Sequence, residues 1–299
     1  MRFDPAQLET LVAITEEGTF EAAARRLHVT ASAVSQRVRA LEQAAGQVLV
    51  RRTTPAAVTP AGEPLVRLGR QLRLLGAEAA LSLGGDEVVE LAVAVNADSL
   101  ATWFRPVLAA LAHRPSTALR LHVEDQAYSD DLLRRGEVLA AVTDEPRPVQ
   151  GCVVEQLGGI RYTPAAAPWL VERHRRGRGV DWAAVPLVVY NEKDHLQDDL
   201  LAEHGAGRPP VVHRVPSTAD FHEAIRCGLG WGMLLDPQLA ASLAAEEVVR
   251  LPGARPVVVP LYWQRWRLDS PALAALTDDV RRAARVLRPV SAVASRKEP

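Results

Sequence analysis

The stretch that most constrains this chain is residues 30–43, TASAVSQRVRALEQ, a short helix with two unlike faces. Val34, Val38 and Leu41 recur at helical spacing, so one stripe is apolar and must pack inward. Ser32, Ser35, Gln36, Arg39 and Gln43 lie on another stripe, which donates and accepts hydrogen bonds and carries no carboxylate before Glu42. Such a face suits phosphates and base edges. On this stripe alone an ordinary solvated helix face fits equally well.

The flanks decide between the two. Asp4 can cap a first helix, with Pro5 at its first position and Gln7 where a capping box requires it. Leu8, Leu11 and Val12 then point inward and Gly18 stops the helix. Thr19 caps a second helix running from Phe20 to about Leu27, in which Ala22, Ala23 and Ala24 allow close approach. His28 and Val29 turn the chain and Thr30 caps the helix described above. Helix, short turn and helix with small residues at the contact is the helix-turn-helix arrangement. Two short β-prone runs follow, residues 48–54 and 58–59, and read as a wing that presents Arg51 and Arg52 to backbone phosphate. Residues 20–60 hold six arginines against two glutamates, although the whole chain has a net charge of only -1. One module, then, is expected to meet a polyanion, with Arg37, Arg51, Arg52 and Thr53 holding phosphates, Ser32, Ser35, Gln36 and Arg39 facing the bases, and Thr30 at the DNA-facing helix start.

Thr59 and Pro60 are expected to open a further helix. Leu65, Leu68, Leu72, Leu75 and Ala79 step by three and four, a heptad seam that favours a dimerising linker, although a single helix lying on a domain core fits Leu65 to Leu75 nearly as well. Pro64 is awkward there, since it removes an early hydrogen bond. The linker ends near Gly84 and Gly85.

A chain of 299 residues, 48% hydrophobic, is long enough for several globular domains. No apolar run approaches a membrane span. Asp4 and Glu9 sit where a signal peptide would be apolar. Cys152 and Cys227 are isolated, without metal-ligand or disulfide spacing, so a cytoplasmic protein with reduced thiols and no metal is expected.

From residue 88 the texture becomes α/β. Strands near 88–95, 118–123 and 138–142 alternate with helices, which implies parallel strands with right-handed crossovers. A second set follows, with strands at 187–190, 211–215, 233–235 and 257–263, and a closing helix at 272–287. The expected arrangement has two lobes, the first about 88–163 and 262–290, the second about 164–261. Ligands gather beyond the carboxyl ends of strands in such sheets. Those ends carry Asn96, Asp98, Ser99 and Thr102, then Glu124 and Asp125, then Thr143; the second lobe adds Tyr190 and Asn191, then Ser217, Thr218 and Asp220. Hydroxyls at helix N-termini suit a carboxylate and clustered carboxylates suit an amine or guanidinium. Ordinary capping accounts for Ser99 and Ser217 as well. No phosphate loop, nucleophile elbow or credible acid–base pair is present, so the chain does not read as an enzyme.

Helix-turn-helix, wing, linker helix and two-lobed α/β domain, in that order, resemble the LysR-type transcriptional regulators. The residues that carry the resemblance are Gly18-Thr19-Phe20 with Ala22-Ala23, Ser32-Ala33-Val34-Ser35-Gln36-Arg37-Val38, Ala40-Leu41-Glu42, Gly46, Leu49, Arg52-Thr53 and Thr59-Pro60-Ala61-Gly62. A narrower resemblance to the lysine/arginine-export regulators rests on residues 96–104, which include Trp103, on 132–138, on 229–232, and above all on Tyr262-Trp263-Gln264-Arg265-Trp266-Arg267-Leu268. The resemblance implies a winged helix-turn-helix domain (1–60), a linker and dimerisation helix (61–85) and a periplasmic-binding-protein-like effector domain (86–299). It implies a homodimer or homotetramer on promoter DNA that senses lysine or arginine as its effector, without a cofactor, and controls an amino-acid exporter gene. A regulator answering a different small molecule, or a non-regulatory small-molecule-binding α/β protein, are the competing readings. Ala56 and Ala57 depart from the pattern by supplying no cation at the wing tip.

Overall fold

The computed structural model describes residues 3–123, 126–192 and 194–290. Along the chain run α1 (Pro5–Glu17), α2 (Phe20–Arg26), α3 (Ala31–Ala45), β1 (Val50–Arg51), β2 (Ala57–Val58) and α4 (Glu63–Ser82). The α/β part follows with β3 (Val89–Val95), α5 (Ala97–Ala101), α6 (Arg105–Leu111), β4 (Thr117–Val123), α7 (Gln126–Arg134), β5 (Ala140–Thr143) and β6 (Cys152–Ala166). Next come α8 (Pro168–Arg173), β7 (Arg175–Arg176), β8 (Gly179–Val180), β9 (Leu187–Val189), α9 (Leu196–Glu203), β10 (Val212–Arg214) and α10 (Thr218–Arg226). The chain closes with β11 (Gly232–Leu235), α11 (Asp236–Ala244), β12 (Val249–Arg250), β13 (Val257–Trp266) and α12 (Pro271–Ala283).

Two compact units result. The first holds residues 1–95, 106–155 and 263–282; the second holds 96–105, 156–262 and 283–299. The helix-turn-helix and linker segments therefore share a unit with β3, β4 and β5, while the chain around Asn96 belongs to the other.

In the first unit the helix starts follow from local chemistry. The Asp4 carboxylate accepts from the backbone N–H groups of Ala6 and Gln7, and Thr19 and Thr30 cap α2 and α3 by accepting from Ala22 and Ala33. Leu8, Leu11 and Ile14 of α1, Ala23 and Ala24 of α2, and Val34, Val38 and Leu41 of α3 form one core closed by Leu49 and Val50 of the wing. β1 and β2 pair antiparallel, Val50 opposite Val58. The linker helix begins later than expected, at Glu63. Residues 59–62 instead make a turn in which the Gly62 N–H donates to the Thr59 carbonyl. Pro64 consequently falls in the first helical turn, where its missing N–H costs nothing.

The face of α4 that packs inward is Leu65, Val66, Gly69, Arg70 and Leu74. Leu72 and Ala79 of the heptad seam remain exposed and Leu75 half-exposed. At Gly69 a Cβ would lie 2.7 Å from Val12 Cγ2 and 3.1 Å from the Leu8 carbonyl oxygen, so α4 rests directly on α1. Gly69→Ala should therefore cost about 1–3 kcal/mol through overpacking, checked by urea unfolding. Unchanged stability would mean that α1 and α4 separate easily.

In the same unit β3 is parallel to β4, from Val89 opposite Thr117 to Val95 opposite Val123, and parallel to β5 at Val93 and Ala94. The helical segment after β3 comes in two pieces, α5 and α6, broken at residues 102–104. In the second unit β6 is flanked antiparallel by β11 and β12, and β9 pairs parallel with β10. Helix α8 stops at Arg173, where the chain folds back as the β7–β8 hairpin. Among the described residues, no helix is long and apolar enough to cross a membrane.

Candidate DNA-binding face and effector site

Helix α3 presents Ser32, Gln36 and Arg39 to solvent on one face, with Ser35 half-buried beside them. Thr30 is exposed at the N-terminus of this helix, and its hydroxyl lies 2.9 Å from that of Ser32. Arg51, Arg52 and Thr53 are exposed along the wing. The Arg52 guanidinium sits 4.8 Å from the centre of the Phe20 ring, which holds the cation at the surface of α2. Thr53 donates its hydroxyl to the Pro55 carbonyl at 2.7 Å and so shapes the wing loop.

Arg37 is placed differently from its neighbours. It is half-buried and its Nη1 reaches the Thr10 hydroxyl of α1 at 3.4 Å, so it also ties α3 to α1. Arg26, one of the six arginines of the basic segment, stays exposed but is taken up by carboxylates: it pairs with Glu16 at 2.6 Å and Glu17 at 3.3 Å. The exposed basic face is thus carried by Arg25, Arg39, Arg51 and Arg52.

The effector candidates divide between the units. In the second, Asn96 is buried and caps α5, its Oδ1 accepting from the Ser99 N–H at 2.7 Å; Ser99 is therefore not the cap. Asp98 follows on α5 and is half-buried. The Tyr162 hydroxyl donates to its Oδ2 at 2.7 Å and the Thr218 hydroxyl to its Oδ1 at 3.3 Å. Burial raises the Asp98 carboxyl above the usual aspartate range; the two hydroxyls work against that rise, and the Asp194 charge adds to it. Among the described residues no arginine or lysine pairs with Asp98. Thr102 donates to the Asp98 carbonyl at 2.6 Å, completing the turn.

Two further polar groups here lack partners among the described residues. Ser99 Oγ is fully buried and Trp103 Nε1 nearly so, and neither makes a hydrogen bond. Buried polar groups are ordinarily satisfied, so unpaired ones in the segment that carries the half-buried Asp98 are what a ligand or ordered water would complete.

Ser217 caps α10 by accepting from the Asp220 N–H at 3.4 Å. Asp220 itself is exposed in the first turn of that helix. There it meets the positive end of the helix dipole. Tyr190 is half-buried, and its N–H donates to Asp194 Oδ2 at 2.8 Å. Thr143, in the first unit, is buried at the end of β5 and accepts from the Glu145 N–H at 3.1 Å. Glu124 and Asp125 lie outside the described residues. The pattern of strand ends missed Tyr162, which sits within β6, and Asp194, which precedes α9. Of the hydroxyls at the start of α10, it is Thr218 that reaches Asp98 and Ser217 that caps the helix.

An exposed polar helix face beside an arginine-bearing wing, joined to an α/β domain with a half-buried carboxylate, defines a DNA-binding regulator with a small-molecule-sensing domain. Residues 5–63 match the bacterial regulatory helix-turn-helix proteins of the lysR family and residues 85–285 match the LysR substrate binding domain, and the chain belongs to the LysR family of transcriptional regulators. It is 49% identical over 286 residues to the lysine export transcriptional regulatory protein LysG of Corynebacterium efficiens, covering 94% of this chain and 98% of that one. Among solved structures it is similar to ArgP from Mycobacterium tuberculosis, with a TM-score of 0.89 and 44% identity over 97% of this chain and 100% of that one. It is also similar to full-length LysG from Corynebacterium glutamicum with bound effector Arg, with a TM-score of 0.83 and 47% identity over 96% and 100% of the two chains.

Proposed function

We propose that this protein is a cytoplasmic transcriptional regulator that senses lysine or arginine and controls an exporter gene for basic amino acids. The observation that carries the reading is Asp98, a half-buried carboxylate steadied by two hydroxyls and paired with no cation among the described residues. A carboxylate in that setting gains most from a ligand that brings an ammonium or guanidinium group. In the second unit Asn96, Ser99, Thr102, Trp103, Tyr190, Ser217 and Asp220 are the proposed remainder of the site. The names of the relatives support the same ligand class.

Domain bounds of 1–60, 61–85 and 86–299 are proposed with it. The exposed Leu72, Leu75 and Ala79 stripe supports assembly as a homodimer or homotetramer through the linker helix. Ser32, Ser35, Gln36 and Arg39 read bases of promoter DNA; Thr30, Arg37, Arg51, Arg52 and Thr53 hold backbone. Ligand binding shifts the population between two arrangements of the protein on its operator.

Calorimetry with lysine, arginine and leucine tests the effector. Saturable binding of lysine or arginine with no heat from leucine is expected; equal binding of leucine removes the basic-ligand reading. Arg39→Ala should weaken binding to the protein's own upstream region by roughly fivefold to a hundredfold and relax discrimination at one base position. A gel shift that does not change with this variant would reassign the reading face.

A further inference from the structure

We infer that Arg70 is the positioning residue that couples the α/β part of the protein to its winged domain, so that effector occupancy reaches the DNA-reading helix through this side chain. The inference rests on the regulator reading above and assigns the residue that transmits its signal.

Arg70 lies on the buried face of α4 and is only 9% exposed. Its guanidinium is shared between two parts of the first unit. Nε faces Glu16 Oε1, near the end of α1, at 3.3 Å, and Nη1 donates to the Arg135 carbonyl, just past α7, at 3.2 Å. Neutralising Glu16 does not require it. Arg73 already makes two bonds to that carboxylate, at 3.0 and 2.9 Å, and Arg26 contributes a third at 2.6 Å. Arg73 and Arg26 do this from the surface, whereas burying the Arg70 guanidinium costs desolvation. What Arg70 adds, and Arg73 and Arg26 do not, is the contact with the α7 end.

That end is unusually well gripped. Three consecutive carbonyls are taken by side chains: Leu133 by Trp266 Nε1 at 3.4 Å, Arg134 by Arg67 Nη1 at 3.4 Å and Arg135 by Arg70. Cations at a helix C-terminus also meet the negative end of its dipole. Gly136 follows with φ +68°, and a Cβ there would lie 2.9 Å from Trp266 Cζ2 and 3.0 Å from the Arg67 Cα, so the turn presses directly on the linker helix. At its other end α7 follows β4, whose last residue, Val123, is in register with Val95, the residue before Asn96. A nine-residue helix of about 13 Å thus runs from the carboxyl end of β4 to Arg67 and Arg70.

Motion of α7 along its axis must move or break the Arg70 contact. Because Arg70 also holds Glu16, that motion pulls on α1, against which α2 and α3 are packed. A cavity of about 450 Å³, lined by Glu16, Arg26, Arg70, Arg73, Glu90 and Arg120, lies beside the cluster and leaves these side chains room to exchange partners.

The test measures operator affinity with and without saturating lysine, and lysine affinity by calorimetry, for the full-length protein, Arg70→Met and Arg70→Lys. The lysine variant retains a charge for Glu16 but cannot span to the Arg135 carbonyl, so it keeps the comparison open if the methionine variant fails to fold. In the wild type the two operator affinities are expected to differ by about fivefold or more. In the variants the ratio should fall to within about twofold of one, while lysine affinity stays within about threefold of wild type. A variant that binds lysine and keeps the wild-type ratio overturns the role of Arg70 alone. A wild-type protein that binds no lysine, or whose operator affinity ignores it, overturns the regulator reading on which the inference rests, and the inference with it.

Discussion

Asp98→Asn is expected to weaken lysine and arginine binding by about thirtyfold or more, because truncating one member of a desolvated charge pair removes roughly 2–5 kcal/mol. The substitution preserves shape, keeps one oxygen to accept from the Tyr162 hydroxyl and turns an amide NH2 toward the Thr218 hydroxyl oxygen, which can accept it, so the ligand-free fold should be largely unharmed. Burial holds the Asp98 carboxyl above its ordinary range, which means that its charge works against folding until a cation arrives. Removing that charge should therefore leave thermal stability unchanged or slightly raised while effector affinity collapses. The same direction of shift makes lysine affinity of the wild type decline, as pH is lowered, earlier than an ordinary aspartate would dictate. Calorimetry across pH, paired with thermal melts, reads both effects. A variant that loses stability in proportion to affinity would show that Asp98 serves the fold and not the ligand.

Glu16→Gln should be the most damaging single change in the winged domain's junction with the linker. Burial pushes the Glu16 carboxyl up, but the Arg73 and Arg26 guanidiniums outweigh it and hold it at about 2, against 4.5 for an ordinary glutamate. Such a depression is worth roughly 3 kcal/mol, and about 2 kcal/mol after allowing for water around Arg26 and Arg73. The sign follows from linkage. A carboxyl with a lowered folded-state pKa contributes its full stability above about 4.5 and loses it as pH falls toward about 2. The gap in urea stability between wild type and Glu16→Gln should be widest near neutrality and close at low pH. A gap that persists unchanged into acid would trace the loss to packing, not to charge.

Much of the first unit could be read in advance because its signals are local. Asp4, Thr19 and Thr30 each cap the helix that follows, and Val34, Val38 and Leu41 all reach the core. The linker start was misread because Thr59 is a good cap residue; its hydroxyl is used one turn early, against the Gly62 N–H at 3.2 Å. Strand β6 had no readable pattern. Gly158, Gly159 and Pro164 interrupt it, and the reason is spatial: a Cβ on Gly159 would meet Val258 Cγ1 at 2.5 Å, and Pro164 lies opposite Met233. The candidate site suffered in the same way. Asp98 was visible as a strand-end carboxylate, but Tyr162 and Thr218 come to it from 64 and 120 residues away. Arg70 resembled any other linker arginine, since nothing in its neighbours announces that it is buried.

The interleaving of the two units also sets an order of events during synthesis. The core of the winged domain draws on residues 3–68 alone, so it can close as soon as the linker helix has emerged. The sheet of β3, β4 and β5 is sealed much later, when the Trp266 N–H reaches the Leu139 carbonyl at 3.0 Å. At ordinary elongation rates the ribosome needs about 10–40 s to make the intervening stretch. For that interval the nascent chain carries a finished reading head and no finished receiver, and the grip of Trp266, Arg67 and Arg70 on the α7 end is what joins the one to the other once translation is nearly complete.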